Sequence, residues 1–170
     1  ADYVAKAPAD GYTLYVGFHA TNAILPTLDP KLPYNAAKDF APIIHLANLP
    51  NVLVVNAKVE AKSVKELVEL ARSKPGALSY ASQGIGSSGH VAGEQFRPLT
   101  KTDIVHVPYK GAAPAMSAAV SNEVSLMFGP IAQGLPHVTS GNLRALGVTG
   151  PAGSPLLPGV KPLVGQGLPG

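Results

Sequence analysis

Two adjacent serines and a nearby histidine are the first residues of this sequence whose types could do chemistry. Ser87, Ser88 and His90 lie almost side by side in the stretch LSYASQGIGSSGHVAGE. A serine hydrolase needs such a pair, together with an acid that orients the histidine. The stretch lacks the G-x-S-x-G spacing of a nucleophile elbow, and Glu94 would lie on the same helix as His90. We therefore interpret the serines as helix caps and ligand donors, and we predict that the chain is not an enzyme.

Three glycines surround these serines and indicate a different chemistry. Gly84, Gly86 and Gly89 allow a sharp turn and a close approach of a ligand to the main chain. Ser87 or Ser88 would then start a helix, because serine is a favoured N-cap residue. Unpaired amides and the positive end of the helix dipole attract an anion. The stretch therefore predicts a binding site for a carboxylate or a phosphate, which we call the anion seat.

The rest of the sequence offers no metal or cofactor chemistry. The five histidines include no i, i+4 pair and no H-x-H, and cysteine is absent, so we predict no metal site. The run from Gly84 to Gly89 matches G-x-G-x-x-G. However, no acidic residue follows the next strand to hold a ribose, and the Gly-Lys-Ser/Thr of a phosphate loop is missing. We therefore predict no cofactor.

Composition narrows the class of protein further. The 170 residues are 46% hydrophobic and 14% charged, which is typical of a globular α/β domain and not of a disordered chain. The net charge is only +3, and the basic residues between Lys58 and Lys74 fit one solvated helix face. Nucleic acid is therefore not a predicted partner. No apolar run is long enough to span a membrane as a helix.

Strand and helix patterns alternate along the chain. The predicted strands are Thr13–Phe18, Ile43–Asn56, Leu78–Ser82, Ile104–Tyr109, Val124–Phe128 and Leu143–Val148. The clearest helix opens at Ser63, with a capping box to Glu66, and a short helix after Asn22 is expected to stop at Pro26. The alternation predicts a mostly parallel sheet, whose ligands bind beyond the carboxyl ends of the strands. Four loops would meet there: 19–22, 83–90, 109–112 and 129–132.

Several blocks of the sequence resemble one family. The blocks are ADGYTLYVG, KLPYNAAKDFAPI, PNVLVVN, SVKELVELARSKPGALSYASQGIGSSGHVAGEQF, VHVPYKGAAPA and LPHVTSGNLRALGVT. In this order they resemble the Bug/TctC receptors, the periplasmic solute-binding proteins of tripartite tricarboxylate transporters, over essentially the whole chain. The resemblance implies the α/β fold of a type II periplasmic binding protein (Venus flytrap). It also implies a small carboxylate ligand, a periplasmic location and a cognate membrane permease as partner.

The same resemblance implies one near-complete lobe and one partial lobe. Residues 1–49 would form part of the first lobe, residues 50–148 the second lobe, and residues 149–170 the return to the first. Relatives continue beyond both Ala1 and Gly170, so we expect a fragment. Exposed sheet edges would then favour a homo-oligomer. The alternatives are a truncated family member that no longer binds ligand and persists as an oligomeric fold, and a serine hydrolase-like enzyme.

Ligand-binding residues follow from the resemblance as well. The first lobe would contribute His19, Ala20 and Thr21. The second lobe would contribute the glycine-rich turn and two neighbouring loops, namely Gln83, Gly84, Gly86, Ser87, Ser88, His90, Tyr109 and Gly129. Many relatives carry an aspartate at the position of Gly129, which can meet an amino group of the ligand. Its absence favours a plain or aromatic acid over an amino acid.

Overall fold

The chain divides into two compact units in the computed structural model, which describes residues 1–168. The first unit is Ala1–Ala47, and the second begins at Asn48. The lobe boundaries at residues 50 and 148 stay a prediction. None of the helices in the described range combines the length and the apolar character that crossing a bilayer would require.

The first unit contains little regular structure. It has helix α1 (Asp2–Ala5), a π-helical turn (Ala20–Ile24) and helix α2 (Leu25–Leu28). The prediction of a buried strand at Thr13–Phe18 is wrong: its apolar side chains are exposed, and no strand of residues 1–168 pairs with it. An apolar run forms a β-strand only where a neighbouring strand can hydrogen-bond to its main-chain N–H and C=O groups. Pro26 does not stop a helix but lies in the first turn of α2, where its missing N–H is tolerated.

The second unit is an α/β sheet structure, which confirms the predicted class. Its elements are β1 (Asn51–Asn56), α3 (Val64–Ser73), β2 (Ser79–Ser82), α4 (Ser88–Thr100), β3 (Val105–Pro108), α5 (Ala112–Ser121), β4 (Leu126–Pro130), α6 (Ile131–Thr139) and β5 (Leu143–Val148), followed by a 3-10 turn (Leu163–Gln166). The predicted strand Ile43–Asn56 is too long, because the structure begins it at Asn51 and leaves Ile43 and Leu46 exposed.

The sheet is mixed, with the strand order β3-β2-β4-β1-β5. β2 runs parallel to β3 and β4, whereas β1 runs antiparallel to β4 and β5. The prediction of a mostly parallel sheet is therefore wrong for the half that contains β1. Every residue of β1 is buried, and a continuous apolar run of this kind is typical of a parallel strand. Only the pairing reveals the direction of β1.

Two hydrophobic layers hold the sheet between its helices. The face toward α5 and α6 buries Val52, Val54, Met116 and Met127, and the face toward α3 and α4 buries Leu53, Val55, Leu67, Phe96 and Phe128. Alternate residues of β1 enter the two layers, as the pleat of a strand requires. Each of the larger side chains contributes about 1.5–3 kcal/mol through burial. The strands therefore form a firm frame for the loops at their ends.

Helix α3 starts where the sequence predicts. The Ser63 hydroxyl accepts a hydrogen bond from the Glu66 amide at 3.1 Å. The Glu66 carboxylate reaches back to the amide of Lys62, at 2.8 Å, one residue before the cap. Both capping hydrogen bonds are thus formed between residues close in the sequence, so the start of α3 could be predicted from these residues alone.

Candidate anion site at one edge of the sheet

Three helices begin at the same edge of the sheet. β2, β3 and β4 are parallel, and each leads directly into the start of a helix: α4, α5 and α6 respectively. The first residue of β1, Asn51, pairs in register with Pro130 at the end of β4, so β1 starts at this edge as well. Three of the four predicted loops, 83–90, 109–112 and 129–132, are thus brought to one edge.

The turn between β2 and α4 requires its glycines. Gly84 has φ +124° and Gly86 has φ +78°, values that side chains other than glycine rarely adopt. A Cβ on Gly84 would also lie only 3.3 Å from the carbonyl oxygen of Tyr109. The turn is therefore held against the loop that follows β3, in the conformation that the glycine spacing predicts.

Helix α4 begins at Ser88, with Ser87 as its N-cap. The Ser87 hydroxyl accepts a hydrogen bond from the amide of His90 at 3.3 Å. This confirms the predicted helix start and gives Ser87 a capping role. The hydroxyl proton of Ser87 is not used by that bond and can be donated elsewhere.

Three amides between Gly84 and Gly89 are already bonded to side chains. The Gly84 amide donates to the Ser82 hydroxyl, and the Gly86 amide donates to Nδ1 of His90, both at 3.2 Å. The Gly89 amide donates to Oε1 of Gln83 at 3.1 Å. Among the described residues, the amides of Ile85 and Ser88 have no acceptor. The donors available to an anion are therefore these two amides and the hydroxyl of Ser87, because the Ser88 hydroxyl donates to Asn51.

Gln83 connects the three loops of the edge. Its Nε2 donates to the carbonyl oxygen of Phe128, at 3.2 Å, near the end of β4. Its Oε1 accepts from Gly89 in α4, and its main-chain oxygen accepts from Gly111, before α5, at 3.2 Å. Gln83 thus fixes the position of the α4 N-terminus instead of presenting a free amide. No local pattern in the sequence indicates this role, because Gly111 and Phe128 are distant from Gln83 along the chain.

His90 faces inward, toward the sheet. Its Nδ1 accepts from the Gly86 amide, which requires that nitrogen to be unprotonated. Its ring lies 4.4 Å from the ring of His106, centroid to centroid. In the described residues neither Ser87 nor Ser88 is hydrogen-bonded to the imidazole of His90. Ser87 and Ser88 therefore do not form with His90 the serine-histidine pair that nucleophilic catalysis uses.

A stack of rings lies behind the turn. His106 packs between His90 and the ring of Tyr80, which is 4.8 Å away, and its Nε2 lies 2.7 Å from the Ser82 hydroxyl. The Tyr80 hydroxyl donates to Glu94 at 2.8 Å, and this bond lowers the pKa of Glu94. Burial lowers the pKa of His106, and His90 lowers it further. The stack thus favours a neutral His106 that supports the turn through Ser82.

Acidification is expected to destabilise the fold through His106. Its pKa is lower in the folded state than the ordinary value of 6.5, so the unfolded chain binds the proton first. The charges of Glu94 and Arg97 also face this ring, with opposite effects on its pKa. The free energy of unfolding should therefore fall as the pH drops through about 6.5. We expect His106→Gln to flatten this dependence in urea titrations between about pH 7 and 5.

An exposed histidine provides the control for this prediction. His45 lies in the first unit and is exposed, so His45→Gln should leave the slope of stability against pH unchanged. Equal slopes for His106→Gln and the parent chain would contradict the assignment of the slope to His106.

The other predicted site residues of the second unit lie at the edge but present little to a ligand. Tyr109 packs against the core beside α5, and its hydroxyl donates to Glu123 at 3.2 Å. Gly129 lies in β4, and a Cβ there would be 2.9 Å from the Met127 methyl group and 3.1 Å from that of Met116. A side chain at position 129 would thus start on the α5 side of the sheet.

The three predicted residues of the first unit lie at its π-helical turn. His19 is the N-cap residue of that turn, and Ala20 is its first residue. The Thr21 hydroxyl lies 2.5 Å from the Tyr15 hydroxyl and donates to the carbonyl oxygen of Phe18 at 3.1 Å. Their role toward a ligand stays a prediction.

Two further residues, Asn51 and Thr149, lie at this edge and were not predicted as site residues. Asn51 is only 6% exposed, and its Oδ1 accepts from the Ser88 hydroxyl at 3.4 Å. The main-chain amide of Asn51 donates to the Thr149 hydroxyl at 2.9 Å, so the residue that follows β5 holds Asn51 in position. The only signal in the sequence was an asparagine at the head of an apolar run.

In residues 1–168 no group of three His, Cys, Asp or Glu side chains is arranged to hold a metal ion.

A parallel three-strand edge with helix N-termini and neutral donors has a geometry that suits a small anion. The model of the tripartite tricarboxylate transporter family receptor (TctC) matches residues 1–170. The chain belongs to this family of solute-binding receptors, which confirms the resemblance found in the sequence. Its members are receptors and not enzymes.

Curated relatives match along the whole chain. A UPF0065 protein from a Pseudomonas species is 37% identical over 100% of this chain and 51% of its own length. BugT from Bordetella pertussis is 33% identical over 99% of this chain and 52% of its own length. The chain therefore spans about half the length of the curated relatives it matches.

Solved structures agree with the fold. A periplasmic transporter has a TM-score of 0.90 and 39% identity, covering 99% of this chain and 56% of that one. A Rhodopseudomonas palustris protein solved with adipate has a TM-score of 0.87 and 34% identity, covering 99% and 56%. MatC from the same organism, with bound malate, has a TM-score of 0.85 and 31% identity, covering 99% and 57%. Periplasmic binding proteins of this family thus include carboxylate binders.

Proposed function

We propose that this chain is the carboxylate-binding part of a periplasmic solute-binding receptor. The observation that carries the proposal is the start of α4, where the amides of Ile85 and Ser88 have no acceptor in the described residues. The hydroxyls of Ser87 and Ser88 adjoin them. Neutral donors at a helix N-terminus suit a carboxylate, which needs hydrogen bonds more than a full counter-charge.

The proposed role in transport follows from the family. The receptor would close two lobes around the anion, through contacts made only in the closed state, and present it to a cognate membrane permease. His19, Ala20 and Thr21 of the first unit would be further ligand-binding residues. A periplasmic location fits the relatives, among which BugD is a periplasmic binding protein. Neither a ligand-free oligomeric scaffold nor a hydrolase has a supporting observation in residues 1–168.

A thermal-shift titration tests this function. Adipate, malate and a panel of other mono-, di- and tricarboxylates would each be added to the purified chain. A ligand at about 100 times its Kd stabilises the fold by about 2.7 kcal/mol, which should raise Tm by roughly 5 °C or more. Dimethyl adipate, which keeps the six-carbon chain but has methyl esters in place of the two carboxylates, should leave Tm unchanged. A folded sample that responds to no carboxylate, or equally to the ester, would contradict the proposal.

A further inference from the structure

Asn51 is a largely buried residue that has one side-chain donor without a protein partner. It is 6% exposed, and its main chain is held by Thr149 through two hydrogen bonds of 2.9 Å. Its Oδ1 accepts from the Ser88 hydroxyl at 3.4 Å, whereas Nδ2 has no acceptor among the described residues. Turning the amide around would leave Oδ1 without a partner instead. Nδ2 is not one of the fully buried side-chain atoms that lack a partner, so it reaches solvent and is free to donate to a bound ligand.

The asparagine at the other end of the same strand shows the contrast. Asn56 is 4% exposed, and its Nδ2 donates to the carbonyl oxygens of Ala119 and Val120 at 2.8 and 2.9 Å. Its Oδ1 accepts from the amide of Lys58 at 2.9 Å. Asn56 is therefore a satisfied structural residue. Asn51 has the same burial but lacks such partners, and it lies beside the first residue of α4.

We propose that Asn51 is a ligand-contacting residue that determines specificity for a carboxylate. This inference rests on the proposed function. Nδ2 would donate to an oxygen of the same anion that the Ser88 and Ile85 amides bind. Ser88 couples the two, since its hydroxyl contacts Asn51 and its amide belongs to the seat. At the start of α4, Nδ2 of Asn51 and the amide of Ser88 are hydrogen-bond donors, and neither residue carries a negative charge. This arrangement favours a ligand oxygen that accepts hydrogen bonds over a ligand ammonium group.

A single change of charge tests this assignment. Asn51→Asp keeps the size of the side chain and an acceptor for the Ser88 hydroxyl, but replaces the donor with a carboxylate that repels the ligand. We expect the affinity for adipate or malate, measured by calorimetry, to fall about a hundredfold. Asn142→Asp is the matched control, because Asn142 is exposed and lies just before β5, whose first residue pairs with the far end of β1. Its affinity should equal that of the parent chain.

The outcomes separate this inference from the function on which it rests. Binding by the parent chain with an unchanged affinity in Asn51→Asp would overturn the role of Asn51 and leave the receptor function intact. No binding of any carboxylate of the panel by the parent chain would overturn both. If Asn51→Asp does not fold, the side-chain amide resonances of Asn51 in the parent chain decide. They should shift as adipate is added, and resonances that stay in place while adipate binds would overturn the assignment.

Discussion

Replacing Gly93 with valine is expected to lower the free energy of unfolding by about 3 kcal/mol or more. A Cβ at this position would lie 2.8 Å from Cδ2 of Tyr80 and closer still to two other atoms of its ring. The ring has no room to withdraw: it is fully buried, stacked on His106 and hydrogen-bonded to Glu94. Helix α4 would have to leave the sheet, and the contacts of Phe96 in the same layer would loosen with it.

Urea unfolding followed by circular dichroism measures this effect. Total stabilities of 5–15 kcal/mol are typical, so a loss of about 3 kcal/mol should shift the midpoint strongly. Gly159→Val is the control, because a Cβ on Gly159 has no heavy atom within 4 Å. That variant should unfold like the parent chain. A Gly93→Val protein with the parental midpoint would show that α4 does not need this close approach to β2.

What the sequence predicts well in this fold is local along the chain. The Ser63 cap and its Glu66 partner are three residues apart, and the glycine turn with its Ser87 cap is equally short. Such motifs carry their own stabilising contacts, so a single stretch suffices to identify them. The start of α4 was therefore predictable before the fold was known, whereas the binding of an anion there stays a prediction.

What the sequence could not predict depends on distant partners. Gln83 and Phe128 are 45 positions apart, and Ser88 and Asn51 are 37 apart, so neither contact leaves a local signal. The direction of β1 had the same problem, since its burial on both faces hides which neighbours it pairs with. The prediction of a strand at Thr13–Phe18 failed for the opposite reason. An apolar alternation is visible in the sequence, but no strand among the described residues pairs with this segment.

Gly89→Ala is expected to disrupt both stability and carboxylate binding. The added Cβ would lie 2.5 Å from Oε1 of Gln83 and closer still to the carbonyl oxygen of Phe128. That oxygen belongs to the backbone of β4 and cannot rotate away. The start of α4 must therefore move off the sheet edge, which should reduce the free energy of unfolding by about 3 kcal/mol. The amide of Ser88 moves with it, so the affinity for adipate or malate should fall below detection.

Two further variants separate crowding from a general effect of alanine. Gly165→Ala lies in a helical turn with no heavy atom within 4 Å of the added Cβ, and it should change neither stability nor affinity. Gln83→Ala removes the side chain that Gly89→Ala would displace. If the two residues act through the same contact, the double variant should lose less stability than the sum of the single variants. Additive losses would mean that the β4 carbonyl alone resists the Cβ, whereas an unchanged affinity in Gly89→Ala would separate anion binding from the position of the α4 N-terminus.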